Sequence, residues 1–254
     1  MMQPTYAQLY AWENLLLAYR QAAKGKRGHA NVAAFEYQLE ENLLALQVEL
    51  QEQRYQPGPY TSFYIHEPKR RLISAAPFRD RVIHHALCNL IEPHFERSFI
   101  DDSYANRVGK GTHRALDRAQ YFARRHFYVL QCDVRQFFPS VDHTLLRQIL
   151  VRKVHDPALR WLIDQILASG VGVLGEAYDM VYFGDDDLFT VEALQARPGL
   201  PIGNLTSQFW ANCYLNPIDH FIKASWGAPA TCAMSTICCS LLTTKRPCGA
   251  GKRH

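Results

Sequence analysis

Asp133 and Phe138 have the types and spacing that a metal-dependent site could use. Asp133 follows a short apolar and β-branched run, "FYVLQC", and Phe138 comes five residues later. A carboxylate at the end of a strand can bind Mg²⁺, and the backbone carbonyl of Val134 offers a second hard oxygen ligand. An aromatic ring at Phe138 could close the floor of a pocket beside the ion. A lone aspartate at this position would more often cap the next segment, so the metal interpretation depends on further residues.

A second stretch, "GLPIGNLTSQ", is a glycine loop that leads into a helix. Gly199 and Gly203 would let the backbone approach a ligand closely. Ser207 and Gln208 place polar side chains where the helix begins. Such a loop is more often a simple turn, so it too is a weak indication when taken alone.

Basic residues provide a third element, a strip that could bind phosphates. Its members are Lys69, Arg70, Arg71, Arg79 and Arg81. By default, a charge run of this kind is a solvated face.

Other candidates are weaker. The "GDDD" at 184–187 precedes the glycine loop and is predicted to be a hairpin tip. His84, His85 and His113 lack metal-ligand spacing. Cys238 and Cys239 are adjacent, without the C-x₂-C pair that a zinc site would show.

The elements that position these residues follow from apolar spacing and turn residues. Helices are predicted at 9–19, 35–50, 80–99 and 112–125, from 142, from 157 and after 204, with extended segments at 61–77 and 127–138 and a hairpin at 178–190. The 127–138 run is predicted to be a buried strand. Helices followed by strands mixed with helices indicate an α+β fold.

Composition sets outer limits on the function. The 254 residues are 48% hydrophobic and carry a net charge of +4, which permits a polyanionic partner without requiring one. No apolar run approaches the roughly 20 residues that span a bilayer, and the N-terminus lacks a signal peptide's apolar stretch. We therefore expect no membrane partner and a cytoplasmic location. Cysteines before residue 231 are scattered and predict no disulfide framework.

Taken in order, these segments resemble the reverse transcriptases of bacterial retroelements. "LQCDVRQFFPSVDH" is similar to their palm strand with the first catalytic aspartate, and "GLPIGNLTSQFWANCYLN" to the loop and helix under the templating base. "KRRLISAAPFRDRVIHHAL" and "SYANRVGKGTHRAL" are similar to segments of the fingers. The resemblance covers roughly residues 5 to 223. The sequences of these segments are most like those of the diversity-generating retroelement type, and retron and group II intron enzymes are close relatives of that type.

The resemblance implies an incomplete polymerase right hand, with fingers and part of the palm but no thumb. It predicts N-terminal helices and fingers at 1–125, a partial palm at 126–223 and an aberrant tail at 224–254. The implied activity is RNA-directed DNA synthesis with two Mg²⁺ ions, in which a primer 3′-hydroxyl attacks the α-phosphate of a dNTP. The implied partners are an RNA template, a DNA or RNA primer, dNTPs and a small basic accessory protein.

The resemblance also implies a role for each matched residue. Asp133 would bind both metal ions and Val134 would lend its carbonyl to one of them. Phe138 would be the gate that excludes a ribose 2′-hydroxyl. Gln208 and the loop around Gly203 would contact the incoming nucleotide and template. The triphosphate would be neutralised by Arg70 together with Lys69 and Arg79.

The tail departs from the family pattern. A reverse transcriptase needs a later strand with an aromatic-x-Asp-Asp turn, yet no acidic residue follows Asp219. The last residues, "TCAMSTICCSLLTTKRPCGAGKRH", show no helical or strand alternation. We therefore expect this chain to be inactive as a polymerase.

Reading the tail in another frame offers an explanation. If each hidden codon takes the last base of one codon and the first two of the next, "AMSTI" can encode "YVDD", the missing motif, in the expected place. The tail is therefore predicted to be out-of-frame translation that begins near Lys223 or Ala224. Two alternatives stay open: a non-enzymatic RNA-binding remnant, and a genuine tail that binds metal.

Overall fold

The computed structural model describes residues 3–66, 70–126, 128–174, 199–225, 230–234 and 237–242. The helices are α1 (Tyr6–Leu9), α2 (Trp12–Ala23), α3 (Ala30–Tyr37), α4 (Leu39–Gln51), α5 (Phe78–Glu96), α6 (Thr112–Ala123), α7 (Phe137–Ser140), α8 (His143–Val151), α9 (Pro157–Ser169) and α10 (Leu205–His220). A π-helical turn, Phe221–Ser225, follows α10. The strands are β1 (Thr61–Ile65), β2 (Arg71–Ala75), β3 (Tyr128–Asp133), β4 (Ala230–Met234) and β5 (Ile237–Leu242).

These elements form two compact units. The first unit contains residues 1–98 and 136–214, and the second contains residues 99–135 and 215–254. Each unit is built from segments distant in sequence, because the chain leaves the first unit after α5 and returns to it at α7. The mixture of helices and antiparallel strands agrees with the predicted α+β class.

The core of the first unit is built around α5. Its apolar residues recur every three or four positions, so one face of the helix is buried, with Val82, Ile83, Leu87 and Ile91 inaccessible to solvent. Helix α2 packs against α5. A polar contact secures this packing, because the Asn14 side chain donates to the carbonyl of Ala86 at 3.1 Å.

Aspartate caps begin two helices of the first unit, close to the predicted helix starts at 142 and 157. Asp142 accepts from the backbone N–H of Leu145 at 2.9 Å at the start of α8. Asp156 accepts from the N–H of Ala158 at the start of α9, where Pro157 occupies the first helical position. The predicted helix at 35–50 is instead two helices, because the backbone of Gln38 leaves the helical region between α3 and α4.

Strands β1 and β2 form an antiparallel hairpin in which Thr61 lies opposite Ala75 and Ile65 opposite Arg71. β1 is exposed along its whole length, whereas β2 buries Leu72 and Ser74. The hairpin therefore attaches to its unit through β2. This confirms the extended segment predicted at 61–77.

The second unit contains a three-stranded antiparallel sheet in the order β3-β5-β4. Asp133, the last residue of β3, lies opposite Ile237, the first residue of β5. β4 is held on its other side by two backbone hydrogen bonds, Tyr104 N–H to Ala233 O at 2.9 Å and Ala233 N–H to Asp102 O at 2.8 Å. Helix α6 packs on the sheet beside Cys232 through the buried Ala115.

Two sequence-based expectations for this unit were wrong. β3 is a strand, but its side chains are exposed rather than buried. The tail contains two strands although it lacks alternation. Backbone pairing with β3 and with residues 102–104 accounts for them, since main-chain hydrogen bonds do not depend on side-chain type.

Within the described parts of the chain, no helix combines the length and apolar character needed to cross a membrane. The hairpin predicted at 178–190 lies outside the described residues.

Candidate functional site

The glycine loop before α10 is fixed at its first end by Phe138 and His143. The backbone N–H of Leu200 donates to the carbonyl of Phe138 at 2.7 Å. The His143 ring nitrogen Nε2 lies 2.6 Å from the carbonyl oxygen of Gly199, to which it donates. Gly199 has φ +58°, and a Cβ there would lie 2.8 Å from the backbone of Pro139. Only glycine allows this close approach.

Asn204 fixes the second end of the loop against β2. Its side-chain oxygen accepts from the N–H of Ala76 at 3.0 Å, and its side-chain nitrogen donates to the carbonyls of Ser74 at 2.9 Å and Pro201 at 3.1 Å. The backbone adds a 2.8 Å bond from Ser74 N–H to Ile202 O. Asn204 is buried, so these bonds form away from water, where leaving any of them unmade is costly.

Gly203 makes the loop's closest approach to the hairpin. Its φ is +118°, and a Cβ there would lie 2.8 Å from the Ile73 methyl carbon Cγ2. Gln208 lies one turn into α10, and its side chain is exposed, while its neighbours Ser207 and Phe209 are buried. The structure therefore presents Gly203 and Gln208 to solvent on a loop and helix start whose other residues are fixed.

Phe138 lies in the short helix α7 and is half-buried. Its ring contacts that of Phe137 edge-on, with centroids 5.4 Å apart. Its carbonyl is the acceptor for the glycine loop, so the structure brings the predicted gate residue and the predicted nucleotide loop together within the first unit.

The predicted phosphate-binding residues have different environments. Arg70 is exposed and its guanidinium carbon lies 4.0 Å from the centroid of the Tyr64 ring in β1, a cation–π contact. Lys69 lies outside the described residues. Arg79 is in α5, where its Nη2 lies 2.5 Å from the Glu49 carboxylate.

Asp80, next to Arg79, is a buried structural carboxylate. It accepts from the Tyr55 hydroxyl at 2.8 Å and from the N–H of Gly58 at 2.8 Å. Burial raises the pKa of Asp80 above its usual value, although these hydrogen bonds oppose the shift. The network ties the segment before β1 to the first turn of α5.

Asp133 and Val134 lie in the second unit, whereas the other described site residues lie in the first. Asp133 is exposed at the end of β3, and Val134 follows it with 43% of its surface accessible. The residue opposite Asp133 is Ile237, which supplies no ligand atom from its side chain. Among the described residues, no group of three or more histidine, cysteine, aspartate and glutamate side chains could hold a metal ion.

Two polar residues that the structure singles out were not predicted. Asn204 had a detectable indication, because a polar residue between a glycine and an apolar helix is a typical N-cap. No sequence pattern indicated the role of Asp102, because the residues that it contacts are distant in sequence. It accepts from Arg118 Nε at 2.8 Å and pairs with Lys223 Nζ at 3.4 Å. Burial opposes its ionisation, but Arg118 and Lys223 outweigh burial and lower the pKa of Asp102.

Comparison with known proteins gives several relatives at low sequence identity. The chain is 26% identical over 199 residues to protein YkfC of Escherichia coli K12, covering 76% of this chain and 48% of YkfC. It is 26% identical over 188 residues to the group II intron-encoded protein LtrA of Lactococcus lactis subsp. cremoris, covering 72% and 28% of the two chains. It is 26% identical over 147 residues to the mitochondrial nuclear intron maturase 2 of Arabidopsis thaliana, covering 52% and 20%.

The fold is similar to that of a solved chain in a partial Cas6-RT-Cas1--Cas2 complex. The TM-score is 0.52 at 16% identity, over 96% of this chain and 39% of that one. These comparisons support the reverse transcriptase family. No protein-family model matches the chain. The chain spans about half or less of the length of the curated relatives it matches.

Proposed function

We propose that this chain carries the fingers and the first part of the palm of an RNA-directed DNA polymerase. The observation that supports this most directly is the glycine loop, which hydrogen-bonds to Phe138 at one end and to β2, through Asn204, at the other. These hydrogen bonds place the proposed nucleotide-binding loop beside the proposed gate residue and the basic hairpin. The similarity to a group II intron-encoded protein and to an intron maturase supports the same family.

In this proposal, the residue roles follow the family pattern. Phe138 excludes the ribose 2′-hydroxyl, and the loop around Gly203 with Gln208 contacts the incoming nucleotide and the template. Arg70, with Lys69 and Arg79, neutralises the triphosphate. The substrates are dNTPs, and the nucleic-acid partners are an RNA template and a DNA or RNA primer.

Among the described residues, the groups around Asp133 do not complete the metal site that the family requires. Asp133 and the Val134 carbonyl are two oxygen ligands, but the strand beside them begins with Ile237 and carries no carboxylate. Mg²⁺ prefers six oxygen ligands, with several supplied by carboxylates and phosphates. We therefore propose that Mg²⁺ binds the complete family site and that the chain, with its present tail, does not polymerise.

The missing carboxylates are proposed to lie in another reading frame. The hidden "YVDD" straddles 233–237, so its last aspartate would correspond to Ile237, the residue opposite Asp133. The antiparallel strands β4 and β5 support this, since Met234 is opposite Ile237 and the connection between them is two residues long. Those two residues, Ser235 and Thr236, lie outside the described residues.

Within the family, we propose the diversity-generating retroelement type, because the motifs "SYANRVGKGTH" and "PIGNLTSQ" resemble the sequences of that type. A small basic accessory protein would then be a partner. One relative named above is a group II intron-encoded protein, which makes that class the second candidate.

Primer extension tests the proposed function. Three proteins are compared on an RNA template with a DNA primer, dNTPs and Mg²⁺: the present chain, the same gene with the frame restored from Ala224 to its own stop codon, and the restored protein with Asp133→Asn. We expect incorporation by the restored protein alone. Incorporation by the Asp133→Asn protein would contradict the role of Asp133.

A further inference from the structure

The segment from Arg107 to Arg125 is strongly basic. It carries six arginine or lysine residues against one acidic residue, Asp117. Three of the six are half-buried and interact with groups of their own unit. Arg107 donates to the carbonyls of Ile100 and Ser103, Lys110 to the carbonyl of Asp101, and Arg118 to the Asp102 carboxylate.

The other three are Arg114, Arg124 and Arg125. Their side chains are exposed, and no carboxylate among the described residues forms an ion pair with them. Arg114 donates to the carbonyl of Gly109, and Arg125 to that of Tyr121, so both make contacts that leave their positive charge uncompensated.

Helical geometry arranges these charges in a line. At 100° per residue, Arg114, Arg118, Tyr121 and Arg125 share one side of α6 and its C-terminal end, over about 16 Å. Ala115 and Phe122, which are buried, lie on the neighbouring side. Arg124 flanks the line. We call these five residues, Arg114, Arg118, Tyr121, Arg124 and Arg125, the arginine stripe.

Tyr121 brings two of the guanidinium groups together. Its ring centroid lies 3.7 Å from the Arg125 guanidinium carbon and 5.0 Å from that of Arg118. Cation–π attraction offsets part of the repulsion between the like charges. Both cations contact the same ring, so Tyr121 orients the two arginines.

We propose that the arginine stripe binds the phosphate backbone of RNA without regard to sequence. A linear row of guanidinium groups fits a linear polyanion, and guanidinium is the side-chain group that best matches phosphate geometry. The stripe shares no residue with the candidate site. The choice of RNA as the polyanion rests on the proposed function.

Fluorescence anisotropy with a labelled single-stranded RNA of about 20 nucleotides, at 50 to 200 mM salt, tests this proposal. We expect Arg114→Ala/Arg125→Ala to bind at least about tenfold more weakly. The slope of log affinity against log salt should fall by about 1.4, because each lost phosphate contact on a single strand contributes about 0.7. The lysine pair Arg114→Lys/Arg125→Lys should keep the salt slope of the parent chain and part of its affinity, since it retains the charge but not the guanidinium geometry.

The matched control is Arg20→Ala/Arg152→Ala, which removes two exposed arginines of the first unit and the same net charge. Its affinity should stay within about twofold of the parent chain. Equal weakening in both double variants would overturn the proposal, as would an unchanged salt slope in Arg114→Ala/Arg125→Ala or the absence of salt-dependent binding by the parent chain. Primer extension by the frame-restored protein is independent of these results, so a failure here is distinguishable from a failure of the proposed function.

Discussion

At the residue scale, the buried amide of Asn204 connects two segments 128 residues apart in sequence. Its side chain accepts from the N–H of Ala76, which follows β2, and donates to the carbonyl of Ser74, which lies in β2. Both backbone groups lie in a buried environment, where an unpaired polar group costs about 1–3 kcal/mol. The position of the glycine loop against the hairpin therefore depends strongly on one side chain.

Replacing Asn204 with alanine should lower the free energy of unfolding by roughly 2–4 kcal/mol, because two buried backbone groups lose their partners. Urea unfolding followed by circular dichroism measures this. Gln208→Ala is the matched control, since this exposed amide lies one turn further along α10 and its loss should change stability by less than about 0.5 kcal/mol. Equal effects from the two variants would show that the Asn204 hydrogen bonds are not stabilising.

Asp219 should give stability an unusual pH dependence. It is a buried carboxyl, and burial raises its pKa to about 6, despite the opposing charges of His220 and Arg107. A folded pKa above the unfolded value means that this contribution is fully present below about pH 4 and is lost as pH rises through 6.

Relative to Asp219→Asn, the parent chain should therefore lose roughly 3 kcal/mol of unfolding free energy between about pH 4 and pH 7. Urea unfolding across this range measures the difference between the two proteins, which cancels the titration of other groups. Asp117→Asn, at an exposed site in α6, is the control. Parallel curves for the parent and Asp219→Asn would contradict the assignment.

At the element scale, the glycine loop depends on a backbone conformation that side chains disfavour. Gly203→Ala should destabilise the protein by roughly 1–3 kcal/mol, because φ +118° is strained for alanine and the new Cβ would press on Ile73. Gly28→Ala is the matched control. Gly28 has no positive φ and open space around its Cβ position, so that change should be neutral or slightly stabilising. The midpoint of thermal unfolding measures both changes, and equal midpoints for the two variants would contradict the expectation.

Local patterns were sufficient to predict most elements, because apolar spacing and caps are properties of neighbouring residues. The helix starts near 142 and 157 and the extended segment at 61–77 are examples. The contacts of Asn204 and Gly203 could not be predicted, since they join segments far apart in sequence. The strands of the tail were missed because backbone pairing with β3, rather than their own alternation, forms them.

For the candidate site, too, some features could be predicted from the sequence and others required the fold. The types and order of Asp133, Phe138 and the glycine loop were enough to suggest a polymerase. The hydrogen bond between Leu200 and Phe138 required the fold. The roles of all the candidate residues stay predictions: Asp133, Val134, Phe138, Gly203, Gln208, Lys69, Arg70 and Arg79.

At the scale of the whole molecule, β3 leaves apolar surface and an unpaired edge exposed. Tyr128 and Val129 are 62% and 58% accessible, and within the described residues only β5 pairs with this strand. Exposed apolar edge strands promote self-association. The present chain should therefore associate as its concentration rises.

Val129→Lys should reduce this association, because a charged side chain on an edge strand opposes pairing with another chain. Light scattering across a concentration series measures it. Leu17→Lys is the matched control, since it places the same charge on an exposed apolar site, 47% accessible, in α2. Equal improvement from both variants would indicate a general effect of charge and not the β3 edge.

The central proposal is that Asp133 would be the first carboxylate of a polymerase site and that the other two lie in another reading frame of the tail. Sequencing the gene from the codon of Asp219 past that of His254 tests this most directly. We predict that Ala233 is encoded by GCT, Ser235 by TCG and Thr236 by ACG, so that the other frame reads "YVDD" and stays open beyond it. Any other third base at these codons, or a stop in that frame, would contradict the account.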